Sequence, residues 1–135
     1  MTAKALIKSF YESDLSNDAS LIDTFYHKEC IIHWNSSKGY TEMDFKGVSA
    51  FFRGVRESYN HLRFEITHLL SEKEVVTVRY TLFANTIESE SDEMPIAHYI
   101  CIHHIKDNKI YRSFEISQPA DTDSLDSDAY SEIKI

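Results

Sequence analysis

Apolar side chains recur at helical spacing in three stretches and at alternate positions in the rest. Leu6, Ile7, Phe10, Tyr11 and Leu15 lie three and four residues apart, which predicts a helix over 3–15 with a single apolar stripe. Asn17, Asp18 and Ser20 offer caps for a second helix over 18–27 that carries Leu21, Ile22, Phe25 and Tyr26. Phe45, Val48, Phe51, Phe52, Val55 and Tyr59 predict a third over 46–60, where Gly47 and Gly54 lower the propensity. Between the last two, Cys30 to Trp34 is short and rich in β-branched and aromatic residues, a strand, and Asn35 to Gly39 has the chemistry of a turn. From Leu62 onward the period is two. Four strands are predicted, Leu62 to Leu70, Val75 to Ala84, Ile96 to Ile105 and Ile110 to Ser117.

Helices and strands are therefore segregated, the mark of an α+β fold. The short polar links Ser71 to Glu74 and Lys106 to Lys109 imply an antiparallel meander. A long antiparallel sheet with strong twist curls. The expected architecture is thus a cone-shaped curved antiparallel sheet packed on three N-terminal helices, with an apolar and aromatic pocket between them.

Composition narrows the function classes. A chain of 135 residues that is 42% hydrophobic has the size and core of one domain, expected over 1–119. The net charge of −8 and the scattered Lys and Arg argue against a nucleic-acid partner. Asp121, Asp123, Asp126, Asp128 and Glu132 predict an acidic tail over 120–135. Apolar runs fall far short of the ~20 residues that span a membrane. The start of the sequence lacks the apolar core of a signal peptide, so a cytoplasmic location is expected. Cys30 and Cys101 sit in strand-like runs and read as reduced core thiols. His103 and His104 are adjacent on a strand and point to opposite faces, so the seven histidines give no metal-binding pattern. No G-x-S-x-G elbow and no phosphate-cradling glycine loop occurs, and no cofactor is implied.

Trp34, flanked by His33 and Asn35, reads either as an aromatic wall of a ligand site or as a core tryptophan. Tyr80, His98 and Tyr99 on the central strands join His33 and Trp34 as candidate ligand contacts. Tyr11 either presents its hydroxyl to a ligand or packs between helix and sheet. Glu115 is the best placed acid. Facing the pocket, its burial would suit it to acid–base work; facing solvent or a partner subunit, it would not.

Three blocks carry a resemblance to a known family. Phe25 to Trp34 resembles its junction of second helix and first strand, Val75 to Leu82 its central strand, and Lys109 to Pro119 its terminal strand closing on a polar residue and proline. On these blocks the chain resembles SnoaL-like proteins of the nuclear transport factor 2-like superfamily over about residues 3–120. The resemblance implies a cystatin-like α+β barrel with an internal cavity and a homodimer formed through the outer sheet face. It also implies a small apolar or aromatic ligand. Members include ketosteroid isomerase, polyketide cyclases, dehydratases and limonene epoxide hydrolase, beside non-enzymatic binders. The steroid-isomerase carboxylate would fall on Trp34 or Asn35, neither of which titrates, and the second acid on Ile100 or Cys101; only Tyr11 keeps its place. The polyketide-cyclase pairing of an acid with a histidine would fall to Glu115 with His98 or His33. Three functions stay open at this level. They are a non-catalytic small-molecule binder, an isomerase, cyclase or dehydratase using Tyr11 and Glu115, and a dimerisation module acting through its sheet face.

Overall fold

The computed structural model of the chain describes residues 1–88 and 92–120. Helix α1 spans Ala3–Glu12, α2 Leu21–Phe25 and α3 Phe45–Ser58; strands β1 to β6 span Tyr26–Ser36, Gly39–Asp44, Tyr59–Glu72, Val75–Thr86, Glu93–Lys106 and Lys109–Pro119. The expected acidic tail over 120–135 lies, beyond Ala120, outside the described residues.

The α+β segregation holds, but the cone-shaped antiparallel barrel does not form. The six strands make one open sheet in the order β2-β1-β6-β5-β4-β3, and its two edges, β2 and β3, do not meet. The sheet is mixed, because β1 runs parallel to β6 with Trp34 opposite Glu115 and Ile32 opposite Ser113. Local hairpin signals cannot show this contact, since its two partners stand some eighty residues apart along the chain. The sequence pattern assigns no element to most of β2, of which only Gly39 falls in the expected turn. This strand is a short, largely exposed edge, reached through Gly39 at φ +110°, a left-handed conformation that glycine adopts without a Cβ clash.

The helices also differ from expectation in length. The first stops at Glu12, where the Ser13 N–H and hydroxyl both bond the Phe10 carbonyl, yet Leu15 still reaches the core. The second is reduced to one turn because Tyr26 already has extended backbone and pairs with Ile110. The third begins on Asp44, whose Oδ1 accepts the Gly47 N–H at 2.8 Å. A side chain at Gly47 would place its Cβ 3.2 Å from that of Met43, so the glycine lets the helix start tightly against β2. Asp44→Ala is expected to destabilise the protein by about 1 kcal/mol in urea unfolding, the ordinary cost of a lost N-cap.

Hairpins β3–β4 and β5–β6 turn through Lys73 and through Asp107–Asn108, all at positive φ, the backbone that matches the twist of paired strands. Helix α1 lies on β3 and β4, and α3 on β1, β2 and β3. Their apolar stripes, including Leu6, Ile7, Phe10, Val48 and Phe52, bury against the inner sheet residues Ile32, Val76, Val78 and Ile110.

Candidate functional site in the cavity between helices and sheet

The core is not packed solid. A cavity of about 710 Å³ lies between the inner face of the sheet and helices α1 and α3, reaching the β1–β2 turn at Ser36 to Lys38. It exists beneath an open sheet, without the curl from which it was expected. The volume is in the range of small-molecule sites.

Its position follows from strand parity. On β6 the small and polar residues Ser113, Glu115 and Ser117 face inward, while Phe114 and Ile116 face out with 45% and 65% of their surface exposed. On β5 the inward set is Tyr99, Cys101 and His103, and on β4 it includes Val78 and Tyr80. On this part of β6 polar residues thus face in and apolar ones out, the reverse of an ordinary half-buried strand.

Aromatic rings form the wall. Tyr80 stacks on Tyr99 with centroids 5.0 Å apart, and Tyr99 lies nearly parallel to Trp34 at 6.4 Å. Phe64 meets Tyr80 edge-on, and Phe51 of α3 meets Trp34 the same way. The Trp34 indole N–H donates to Ser117 Oγ at 2.8 Å, so it is a core hydrogen bond as well as a cavity wall.

Glu115 stands among these rings, between Trp34 on β1 and Cys101 on β5. It is the only acid lining the cavity among the described residues, and Lys38 at the turn is the only other charged one. Its side chain keeps some accessible surface, but that surface is cavity wall rather than bulk solvent. Desolvation therefore pushes its carboxyl up to about 7. Burial also raises the hydroxyls of Tyr11, Tyr26, Tyr80 and Tyr99 and the thiol of Cys101, with the Glu115 charge adding to each. All five stay protonated at neutral pH and so have a hydrogen to donate. Cys30 is likewise pushed up, to about 11, and both cysteines are free thiols.

Tyr11 reaches the cavity from α1, and its hydroxyl lies 2.8 Å from Nε2 of His103. Nδ1 of His103 lies 2.7 Å from Ser113 Oγ. Burial pushes this imidazole down to about 3, with a smaller contribution from His104, so it is neutral.

The structure brings Tyr11, Trp34, Tyr80, Tyr99 and Glu115 to one cavity. It does not bring His33 or His98 there. His33 lies on the outer face, stacked on Phe114 at 4.9 Å and hydrogen-bonded to Tyr40. His98 is buried opposite Thr81, whose Oγ1 is 2.8 Å from its Nδ1, on the parity of outward-facing Ile100. Both misplacements have one cause. Alternation separates two faces of a strand but does not say which face the helices cover. The histidine tied to the site is His103, which reaches it through Tyr11 and bonds Ser113 behind it; the alternation Ser113, Glu115, Ser117 is the signal that locates the inward face of β6. Among the described residues no group of three His, Cys, Asp or Glu side chains could hold a metal ion, and no helix is long and apolar enough to cross a membrane.

The fold recurs in solved structures. A proposed polyketide cyclase, IdmH from Streptomyces antibioticus, superposes with a TM-score of 0.70 at 13% identity over 87% of this chain and 92% of that one. A proposed hydroxylase, AclR from Streptomyces galilaeus, gives 0.68 at 16% identity over 85% and 74%. An epoxide hydrolase of M. tuberculosis gives 0.66 at 9% identity over 85% and 81%. At these identities the likeness is one of fold. Among curated proteins none matches. The family model of the SnoaL-like domain matches residues 7–113, from the first helix to the strand that carries Ser113, and stops two residues before Glu115. With that match spanning most of the chain, the protein belongs to the SnoaL-like family of the nuclear transport factor 2-like superfamily.

Proposed function

We propose that the cavity binds a small, largely aromatic or apolar molecule bearing a carbonyl group and that Glu115 moves a proton on it, in an isomerase-, cyclase- or dehydratase-type reaction. One observation carries the reading. The one carboxyl of an aromatic cavity has no ion-pair partner among the described residues, and desolvation pushes it up to about 7, where it can both take and return a proton near neutral pH. In the simplest step the Glu115 carboxylate removes a hydrogen from the carbon beside the carbonyl. The C–H electron pair moves into the enolate, and the carboxylic acid returns the proton to the same or a conjugated carbon. Protonated tyrosine hydroxyls supply hydrogen bonds to the oxygen on which charge develops. A proposed polyketide cyclase shares the fold.

The test is hydrogen–deuterium exchange beside the carbonyl of mono-, bi- and tricyclic aromatic ketones in D₂O, followed by NMR. The base form works, so the rate is expected to rise as pH increases through about 7 and then to level off. Thermal stabilisation by a ketone without any exchange would leave a binding domain and overturn the proton transfer. Neither effect across the panel would overturn both.

A second reading concerns assembly. Ile100, Ile102, Phe114, Ile116 and Leu70 expose 39–65% of their surface, and the registers Ile100–Ile116 and Ile102–Phe114 make the middle of the outer face one apolar patch. We propose that a second copy of the chain covers this patch. Sedimentation velocity at micromolar concentration is expected to give a dimer, with Ile116→Lys a monomer. A native monomer would refute it.

A further inference from the structure

A buried file of three side chains runs from β6 through β5 to α1. Ser113 and His103 are 0% and 1% exposed, and Tyr11 is buried where it meets the cavity. Ser113 Oγ is 2.7 Å from Nδ1 of His103, and Nε2 is 2.8 Å from the Tyr11 hydroxyl oxygen. The imidazole is neutral, so it has one ring hydrogen to place.

Two arrangements fit these distances. In the first, the Ser113 hydroxyl donates to Nδ1, the ring hydrogen sits on Nε2 and is donated to Tyr11, and the Tyr11 hydrogen is left for another acceptor. In the second, Nδ1–H donates to Ser113, Tyr11 donates to Nε2, and the serine hydrogen is left over. The second strands a hydroxyl hydrogen at a position with no solvent exposure, where the described residues give Ser113 Oγ no partner besides His103. Buried donors without acceptors are costly and correspondingly rare. The first places the spare hydrogen on the one member of the file that lines the cavity. Tyr80 sits beside it, the two ring centroids 4.9 Å apart. Donors lined up head to tail also polarise one another and strengthen the last of the chain.

We propose that Ser113 and His103 are positioning residues that fix Tyr11 as a hydrogen-bond donor into the cavity, so that the ligand atom facing Tyr11 is an acceptor oxygen. The ligand class thereby narrows to molecules whose carbonyl lies at the Tyr11 end. This clause rests on the proposed function, whereas the direction of the hydrogen-bond file does not.

The direction is read on the ligand-free, full-length protein. With ¹⁵N-labelled histidine, two-bond ¹⁵N–¹H correlation spectra at pH 7 are expected to show His103 protonated at Nε2 and bare at Nδ1, the signals being assigned by their loss in His103→Gln. A hydrogen on Nδ1 would overturn the inference, whatever the fate of proton transfer by Glu115. The positioning role is read with two probes of one shape, 1-acetonaphthone and 1-ethylnaphthalene. Ser113→Ala is expected to weaken the ketone about three- to tenfold, the usual worth of one hydrogen bond, and to leave the hydrocarbon unchanged, with Ser113→Thr restoring the difference. Equal weakening of both probes would mark Ser113 as merely structural and overturn the positioning role. No binding of either probe to the native protein would overturn the ligand clause.

Discussion

Glu115→Gln is expected to lower carbonyl-dependent proton exchange about 10²–10⁴-fold and, at the same time, to make the protein more stable at alkaline pH. The two effects share one origin. Desolvation raises the Glu115 carboxyl from its ordinary 4.5 to about 7, so the folded protein disfavours the charged form. Below pH 4.5 the group is neutral in both folded and unfolded chains and costs nothing. As pH rises through about 7 the folded state must either hold a desolvated charge or keep a proton that the unfolded chain has already released. The penalty is complete above that point and amounts to about 3 kcal/mol. Glutamine has the same shape and no charge. Urea unfolding should therefore place Glu115→Gln about 3 kcal/mol above the native protein at pH 8 and level with it at pH 4. Equal stability at both pH values would mean that the carboxyl is solvated, and the proton-transfer reading would lose its support. A group that costs stability where it is ionised is the expected signature of a functional rather than a structural carboxylate.

The second large effect lies on the acid side. His103 is pushed from its ordinary 6.5 down to about 3 by burial between Ser113 and Tyr11. Its sign is opposite to that of Glu115. Above pH 6.5 the imidazole is neutral in both states and the folded protein keeps its full stability. As pH falls from 6.5 towards 3 the unfolded chain takes up a proton that the folded chain refuses, and about 5 kcal/mol is lost. His103→Gln, whose amide keeps a donor and an acceptor but does not titrate, should be weaker than the native protein at pH 7 yet flatter between pH 6.5 and 3. The fluorescence of the single tryptophan, Trp34, reports unfolding in both. A native profile as flat as that of the variant would show that His103 is solvated or charged. Carboxylates held low by their partners, Glu93 by Arg63 above all, add to the same acid limb. The two limbs together place the stability maximum between about pH 4.5 and 6.5, on the acid side of neutrality.

The departure from the steroid-isomerase pattern has a structural counterpart. The end of β1 carries Trp34, whose indole bonds Ser117, and the acid stands beside it on the neighbouring parallel strand instead. The Cα register of Trp34 with Glu115 puts the carboxyl next to the position a β1 acid would occupy. Of the two residues at the place of the second acid, Ile100 faces out and Cys101 faces in as a buried, protonated thiol.

Local pattern alone determined a good deal of this protein. Three-and-four spacing placed the buried stripe of α1 on Leu6, Ile7, Phe10 and Tyr11, and alternation over 62–117 located four strands and two tight hairpins. These features depend on neighbours a few residues apart, so the chain writes them directly. The parallel contact of β1 with β6 does not, because it joins segments through a long excursion of the chain, and that contact is what opens the sheet into a mixed one and sets Trp34 against Glu115. The inward face of β6 was equally hidden. Its apolar residues Phe114 and Ile116 point away from the helices and its polar ones toward them, contrary to the rule that the greasier side is covered. Only the placement of α1 and α3 decides which side is the interior. It is this placement that surrounds Glu115 with rings, removes water from it and ties Tyr11 to His103, so the chemistry of the site belongs to tertiary structure rather than to any motif.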